Sequence, residues 1–182
     1  MNTLVARNNK IKSIDGAIFS LKLLKLLDVS RNELIGFDEA LGQCESLVEI
    51  IADTNKIQFL PSSIGDLSKL ESLNLSNNLI ERLPSGIGNI KILKKLNLSS
   101  NKLTVIPASI GHLSMLEDLN LSNNLITAID SISLSMLSAL VSLDLTRNKL
   151  PLFSEVPKSV KLDRLLLVLL SFMIRLLIKL KI

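Results

Sequence analysis

The chain has 182 residues, of which 47% are hydrophobic and only 3% aromatic, with neither Trp nor Tyr, so any interior must be built from Leu and Ile. Its net charge of +4 is not spread over the chain: residues 1–154 hold fifteen basic and fifteen acidic side chains, and the whole excess lies beyond them, in Lys158, Lys161, Arg164, Arg175, Lys179 and Lys181 against Glu155 and Asp163. A nucleic-acid surface, which wants basic residues interleaved with aromatic ones, is excluded on that distribution and on a total of five Phe.

From the N-terminus, Met1, Leu4, Ala6 and Ile11 surround Asn9, and the same spacing returns as Leu24, Leu27, Val29 and Leu34 around Asn32. Leu47, Ile50, Ala52 and Ile57 follow around Asn55. The clearest copy is Leu70, Leu73, Leu75 and Ile80 around Asn78, which gives the template L-x-x-L-x-L-x-x-N-x-L. The template continues to Leu140, Leu143, Leu145 and Leu150, and its Asn stands at Asn9, Asn32, Asn55, Asn78, Asn101, Asn124 and Asn148, in steps of 23, 23, 23, 23, 23 and 24 residues. A template of this kind at a period of 20–29 residues is the leucine-rich repeat signature.

Within each unit the fourth and sixth positions alternate with the period of a strand, placing both side chains on one face. Strands of successive units, about 4.8 Å apart, pair in parallel and the return segments take the other side. The expected fold is an α/β solenoid, a curved horseshoe with a parallel sheet on its concave face and short helical or irregular turns on its convex face. Residues 1–160 form the array of seven units, and residues 161–182 a degenerate terminal unit or a hydrophobic, basic tail.

The Asn falls where the chain leaves the strand, a position that needs a short side chain able to donate to and accept from the backbone. The central return segments read L-P-S-S-I-G-D-L, L-P-S-G-I-G-N-I and I-P-A-S-I-G-H-L, from Leu60, Leu83 and Ile106. Pro fixes φ at the start, and Gly permits a bend where a side chain would clash. Two earlier units have Asp15 and Asp38 instead of Pro, residues that begin a short helical turn by capping it. The sixth return segment, from Ile126 to Ala139, carries a one-residue insertion.

After Leu150 the regularity decays. An eighth unit can be laid over Leu162, Leu165, Leu167 and Phe172, with Leu170 where Asn is expected. The apolar run from Leu165 to Ile174 reads first as a strand covering the last open face, then as the altered end of a truncated chain, and last as a membrane anchor, being shorter than the ~20 residues a spanning helix needs. A start at Met1 in the first consensus position, with neither signal peptide nor polar cap before it, suggests a fragment of a longer array.

The motif and the L-P-x-x-I-G-x-L return segment resemble the intracellular Ras-group leucine-rich repeat proteins and a related animal protein, leucine-rich-repeat-containing protein 40, over Met1 to Leu150. That resemblance implies an intracellular scaffold or regulator that uses its concave sheet, with a small GTPase or phosphatase module as partner by analogy alone.

Chemistry finds little support. The only nucleophilic pair the composition allows, Cys44 with His112, is three repeats apart, about 15 Å along the stack. Cys44 replaces a core Leu and reads as a buried structural thiol, and His112 as a solvated convex residue. No metal spacing and no phosphate loop occur in the sequence, so no catalytic residue, cofactor or metal site is expected. Asn74, Asn97 and Asn120 open Asn-x-Ser triplets that are formal glycosylation sequons, yet they arise from the repeated L-N-L-S. Phe19, Phe37, Phe59 and Phe153 read as packing of the return segments.

A single Cys points to a reducing compartment, and the chain is expected to be cytoplasmic. What remains for function is the outward face of the strands. There Val5, Leu26 and Ile51 are expected to form an apolar patch beside Asp28, Glu49 and Asp53, and later units present Lys95, Asn97, Asp118 and Asn120. These ten residues are the expected contact surface of a protein-binding scaffold in intracellular signalling, whose partner the sequence does not name. The competing reading is the ligand-sensing array of a membrane-attached receptor.

Overall fold

The computed structural model describes residues 1–150. Seven three-residue strands, β1 (Thr3–Val5), β2 (Leu26–Asp28), β3 (Glu49–Ile51), β4 (Ser72–Asn74), β5 (Lys95–Asn97), β6 (Asp118–Asn120) and β7 (Ser142–Asp144), form one parallel sheet in chain order. Each residue pairs with its equivalent one unit on: Leu27 with Ile50, Leu73 with Leu96, and Leu119 with Leu143. The sheet is therefore the repeat written in space, and it stays unclosed.

Behind the sheet, the template positions build one continuous core. Leu47, Ile50, Ala52 and Ile57 are fully buried, and so are Leu116, Leu119 and Ile126 three units later. A solenoid core of this kind is closed only by its neighbours. At the two ends the equivalents Leu4, Ala6 and Ile11, and Leu140, Leu143, Leu145 and Leu150, are no more than half-buried.

The corner Asn makes the joint between units. Asn78 Nδ2 donates to the carbonyls of Leu75 (3.0 Å) and Ser76 (3.2 Å) in its own turn and of Ala52 (3.0 Å) in the unit before, while its Oδ1 accepts from the Ile57 N–H (2.9 Å). Asn32, Asn55, Asn101, Asn124 and Asn148 repeat this arrangement. The amides thus form a column that ties backbone to backbone, rather than bonding to one another. Asn9, in the first of the described units, bonds through its Nδ2 to Ala6 and Arg7 of its own turn.

On the convex side, the returns of five units are 3-10 turns: Gly16–Ser20, Glu39–Gln43, Ser62–Asp66, Ser85–Asn89 and Ala108–His112. Asp15 and Asp38 cap the first two as the sequence leads one to expect, accepting from the Ala17 and Ala40 N–H at 2.8 Å each. The sixth return is instead a short α-helix, α1 (Ser131–Ser135), whose Leu134 N–H donates to the Asp130 carbonyl four residues back. The inserted residue supplies the wider turn, since an α-helix takes 3.6 residues where a 3-10 helix takes three. The glycines of these returns serve close packing rather than a bend, for none has positive φ. A Cβ on Gly88 would lie 2.2 Å from the Ser109 carbonyl oxygen of the next unit.

Positive φ falls instead on the residue before each corner Asn: Asn8, Arg31, Thr54, Asn77, Ser100, Asn123 and Arg147, all at 54–58°. Among the described residues, no helix is long and apolar enough to cross a membrane. The terminal segment from 161 on, and Phe153, lie outside the described residues.

Candidate functional site: the concave face

Because strand side chains alternate, the third and fifth positions of each unit point away from the core and line up across the sheet. One row runs Thr3, Leu26, Glu49, Ser72, Lys95, Asp118 and Ser142; the other runs Val5, Asp28, Ile51, Asn74, Asn97, Asn120 and Asp144. Between β3 and β6 they floor a shallow depression of about 260 Å³ lined by Glu49, Ile51, Ser72, Asn74, Lys95, Asn97, Asp118 and Asn120. Six of the ten sequence-predicted contact residues, Glu49, Ile51, Lys95, Asn97, Asp118 and Asn120, are brought together there.

The remaining four, Val5, Leu26, Asp28 and Asp53, lie outside that lining, and the apolar patch expected of Val5, Leu26 and Ile51 is smaller than the sequence suggests. Val5 is open, at 56% exposure, because β1 is the edge strand and has a neighbour on one side only. Leu26 and Ile51 are half-buried, each flanked in register by side chains of both neighbouring strands. Asp28 is a clear correction: it is 7% exposed, and its carboxylate turns inward to accept from the Ser30 N–H (3.0 Å) and hydroxyl (2.7 Å). Asp53 is half-buried and accepts from Asn74 Nδ2 (3.4 Å) and from the Thr54 hydroxyl (3.1 Å).

Asp28 is one case of a general arrangement that the sequence reading missed. Asn74, Asn97, Asn120 and Asp144 each turn a side-chain oxygen onto the N–H two residues ahead, at Ser76 (3.1 Å), Ser99 (3.0 Å), Ser122 (3.0 Å) and Thr146 (3.0 Å). This is the Asx turn, which lets a short polar side chain stand in for a backbone acceptor. The signal was present as Asn-x-Ser, Asp-x-Ser and Asp-x-Thr; the triplets that spell glycosylation sequons are turn motifs. Asn97 and Asn120 therefore offer a partner their Nδ2 groups, their oxygens being engaged.

The charged rim keeps its freedom. Lys95 and Asp118 sit opposite each other in register on β5 and β6 and are both exposed, yet among the described residues neither belongs to an ion pair. The ion pairs among the described residues lie elsewhere, each joining one unit to the next: Lys22–Glu45 (3.2 Å), Lys56–Glu33 (3.0 Å) and Lys94–Glu71 (2.8 Å). Such exposed pairs contribute little to stability. They do set local charge: donating to the Glu71 carboxylate raises Lys94, and accepting from Lys56 lowers Glu33 below its ordinary value.

Outside the sheet, Cys44 is fully buried with its Sγ 3.2 Å from the Phe19 carbonyl, and burial pushes its thiol up, away from the reactive thiolate. His112 is exposed in the fifth return. No group of three His, Cys, Asp or Glu among the described residues is placed to hold a metal ion. Phe19 and Phe37 pack in the core, but Phe59 corrects the expectation for it: the side chain is 55% exposed, and a Cβ on Gly36 would meet its ring at 2.8 Å. A glycine in the neighbouring unit leaves the room in which the ring lies on the surface.

Comparison with known proteins agrees with this geometry. The family model for the leucine rich repeat matches residues 50–103 and again 91–150. Among solved structures, a leucine-rich repeat protein of Leptospira interrogans is 30% identical with a TM-score of 0.66, over 84% of this chain and 45% of its own. An internalin of Listeria monocytogenes is 25% identical with a TM-score of 0.74, over 85% of this chain and 44% of its own. The ectodomain of the Arabidopsis thaliana membrane receptor kinase GASSHO1/SCHENGEN3, solved in complex with Casparian strip integrity factor 2, is 33% identical with a TM-score of 0.74 over 82% of this chain and 19% of its own. This chain thus spans less than half the length of each. No curated protein sequence matches it. With matches that together run from residue 50 to residue 150, more than half of its 182 residues, on a sheet and corner column that repeat at the same step, the chain belongs to the leucine-rich repeat family.

Proposed function

We propose that this protein is a non-enzymatic scaffold that binds a protein partner on its concave sheet, in the cytoplasm and in the service of intracellular signalling. The observation that carries this reading is the Lys95 and Asp118 pair: opposite charges in register, exposed and unspent on each other, beside the Asn97 and Asn120 amides and the half-buried Ile51. An apolar centre with a polar, charged rim is how protein interfaces are made. A partner lying across strands about 4.8 Å apart meets several units at once, which favours a macromolecule over a small ligand. The resemblance to the Ras-group repeats supplies the finer identity, a small GTPase or phosphatase module, and the single buried Cys44 supports a reducing compartment.

The test is affinity purification of the full chain followed by mass spectrometry, beside a Lys95→Glu, Asp118→Lys variant. Partners recovered with the first and lost with the second support the reading; identical recovery overturns it. A second reading, the ligand-sensing array of a membrane-attached receptor, is favoured by the likeness to a plant receptor ectodomain. Delivery of the native protein to the secretory pathway, read as glycosylation at Asn74, Asn97 or Asn120, would decide for that second reading.

A further inference from the structure

We propose that one flank of the array, the side on which each strand leads through its corner Asn to its return, is a docking surface for an anionic lipid bilayer. The even balance of fifteen basic and fifteen acidic side chains in residues 1–154 conceals a segregation. The connecting segments, residues 7–13 and their equivalents 30–36, 53–59, 76–82, 99–105, 122–128 and 146–150, hold nine of the basic side chains and only three of the acidic ones, Glu33, Asp53 and Glu81. The sheet, the convex returns and the opposite flank hold the other six and twelve. Nine against three is a net of +6 on this flank, and six against twelve leaves −6 on the remainder.

The backbone keeps these segments in register from unit to unit. The N–H of Glu33 donates to the Ile11 carbonyl and that of Lys56 to the Leu34 carbonyl, both at 2.9 Å, and the same bond recurs from Lys102 to Ile80 (2.9 Å) and from Lys149 to Ile126 (3.0 Å). The residue before each inward Ile or Leu therefore stacks into one row: Lys10, Glu33, Lys56, Leu79, Lys102, Leu125 and Lys149. At six steps of about 4.8 Å the row is about 29 Å long, with a lysine in every second unit. Lys56 pairs with Glu33 at 3.0 Å, and the other eight basic side chains of the flank enter no ion pair among the described residues. Their combined field reaches Glu33, which Lys56 first, and then the nearby Lys12 and Lys10, hold below its ordinary value.

Large apolar side chains stand among these charges. Ile35, Phe59 and Val105 are 52%, 55% and 52% exposed, and Leu125, in the lysine row itself, is 36% exposed. Phe59 lies over Gly36 of the unit before, and Arg82 takes the equivalent position in the unit after. A protein interface gathers its apolar residues at a centre and its charges at a rim. Here the two kinds alternate from the second unit to the sixth. That mixture is the composition of surfaces that settle into a bilayer interface, with Lys and Arg on anionic headgroups and Phe and Leu at the acyl boundary. The rows of the sheet take no part, so a flank resting on an anionic leaflet leaves the concave face open.

The experiment is flotation of the full chain with vesicles of phosphatidylcholine alone, and of phosphatidylcholine with phosphatidylserine in equal amounts. The chain should float with the anionic vesicles only and be released as salt is raised. Lys10→Glu, Lys102→Glu, Lys149→Glu together should weaken that binding at least about tenfold, and Phe59→Ser should weaken it with no change in net charge. Lys25→Glu, Lys69→Glu, Lys91→Glu change the net charge equally from exposed positions off the flank and should leave the binding nearly as it was. Every arm keeps the basic residues beyond 154, so their contribution is common to all, and unchanged thermal midpoints show that the variants fold. Flotation that is absent or independent of phosphatidylserine, equal loss in the two triple variants, or full binding by the flank variant overturns the proposal. So does retention on soluble polyglutamate without flotation, which would make the flank a site for an acidic polypeptide.

Discussion

Two columns run the length of the array, four residues apart in each unit, one Asn in all seven units and the other Asn or Asp in five of them, and they do different work. The corner column, with Asn78 as its type, is buried and spends both ends of the amide on backbone from two units. The sheet column, with Asn74 as its type, is half-buried and spends its oxygen within its own turn, on the Ser76 N–H and hydroxyl. The difference separates what holds units together from what shapes a single unit's surface. It also explains why the first column never varies here, while the second carries Val5, Asp28, Ile51 and Asn in turn. A joint between repeats constrains its residue twice, and a surface turn only once.

Substitution at the two columns should show that contrast, and the largest effect belongs to the corner. Asn78→Leu strands the Ile57 N–H and three carbonyls in a buried place and should lower stability by about 3 kcal/mol or more, read as a fall in the urea midpoint. Gly88→Ala comes next. It forces a methyl against the Ser109 carbonyl and should cost about 1–3 kcal/mol, whereas Gly16→Ala, whose new Cβ would meet nothing closer than 3.5 Å, should cost almost nothing. Asn74→Leu, in the sheet column, should cost about 1 kcal/mol, since one turn acceptor is lost near water. If Asn74→Leu and Asn78→Leu shift the midpoint equally, the distinction between the columns fails.

Smaller effects come from the turns. Thr54 holds φ at 57°, which a β-branched residue adopts at a cost, so Thr54→Asn should stabilise by about 0.5–1 kcal/mol in the same titration. On the convex side, Glu39 lies below its ordinary value of 4.5 because it accepts from the Ser63 and Ser62 N–H, at 3.0 Å each. A lowered folded value means its contribution is present above 4.5 and is lost as pH falls through that lower value. Glu39→Gln should therefore leave a flatter midpoint-against-pH curve below 4.5 than the unmodified chain shows.

Much of the fold was legible because period, core and corner are one constraint repeated: a Leu, a Leu and an Asn at fixed spacing can satisfy the backbone in few other ways. The caps at Asp15 and Asp38 were legible for the same reason, being local. The candidate site was less so. Asp28 stands at a position that points outward, and only the Ser two residues on says that its carboxylate turns back. The exposure of Phe59 depends on Gly36, 23 residues away in sequence and adjacent in space, so no reading of one unit reveals it. Nor do Arg31, Thr54 and Ser100 advertise positive φ, since the corner Asn after them imposes it.

The most direct test of the concave face is the dissociation constant of a captured partner, measured with the unmodified chain and with Lys95→Glu, Asp118→Lys, alongside Ser85→Ala, Asn89→Ala, His112→Ala on the convex side. The concave variant should bind at least about 30-fold more weakly, as the loss of an interface hot spot of about 2 kcal/mol requires, with an unchanged thermal midpoint. Unchanged affinity in that variant, with the loss appearing in the convex one instead, would contradict the account.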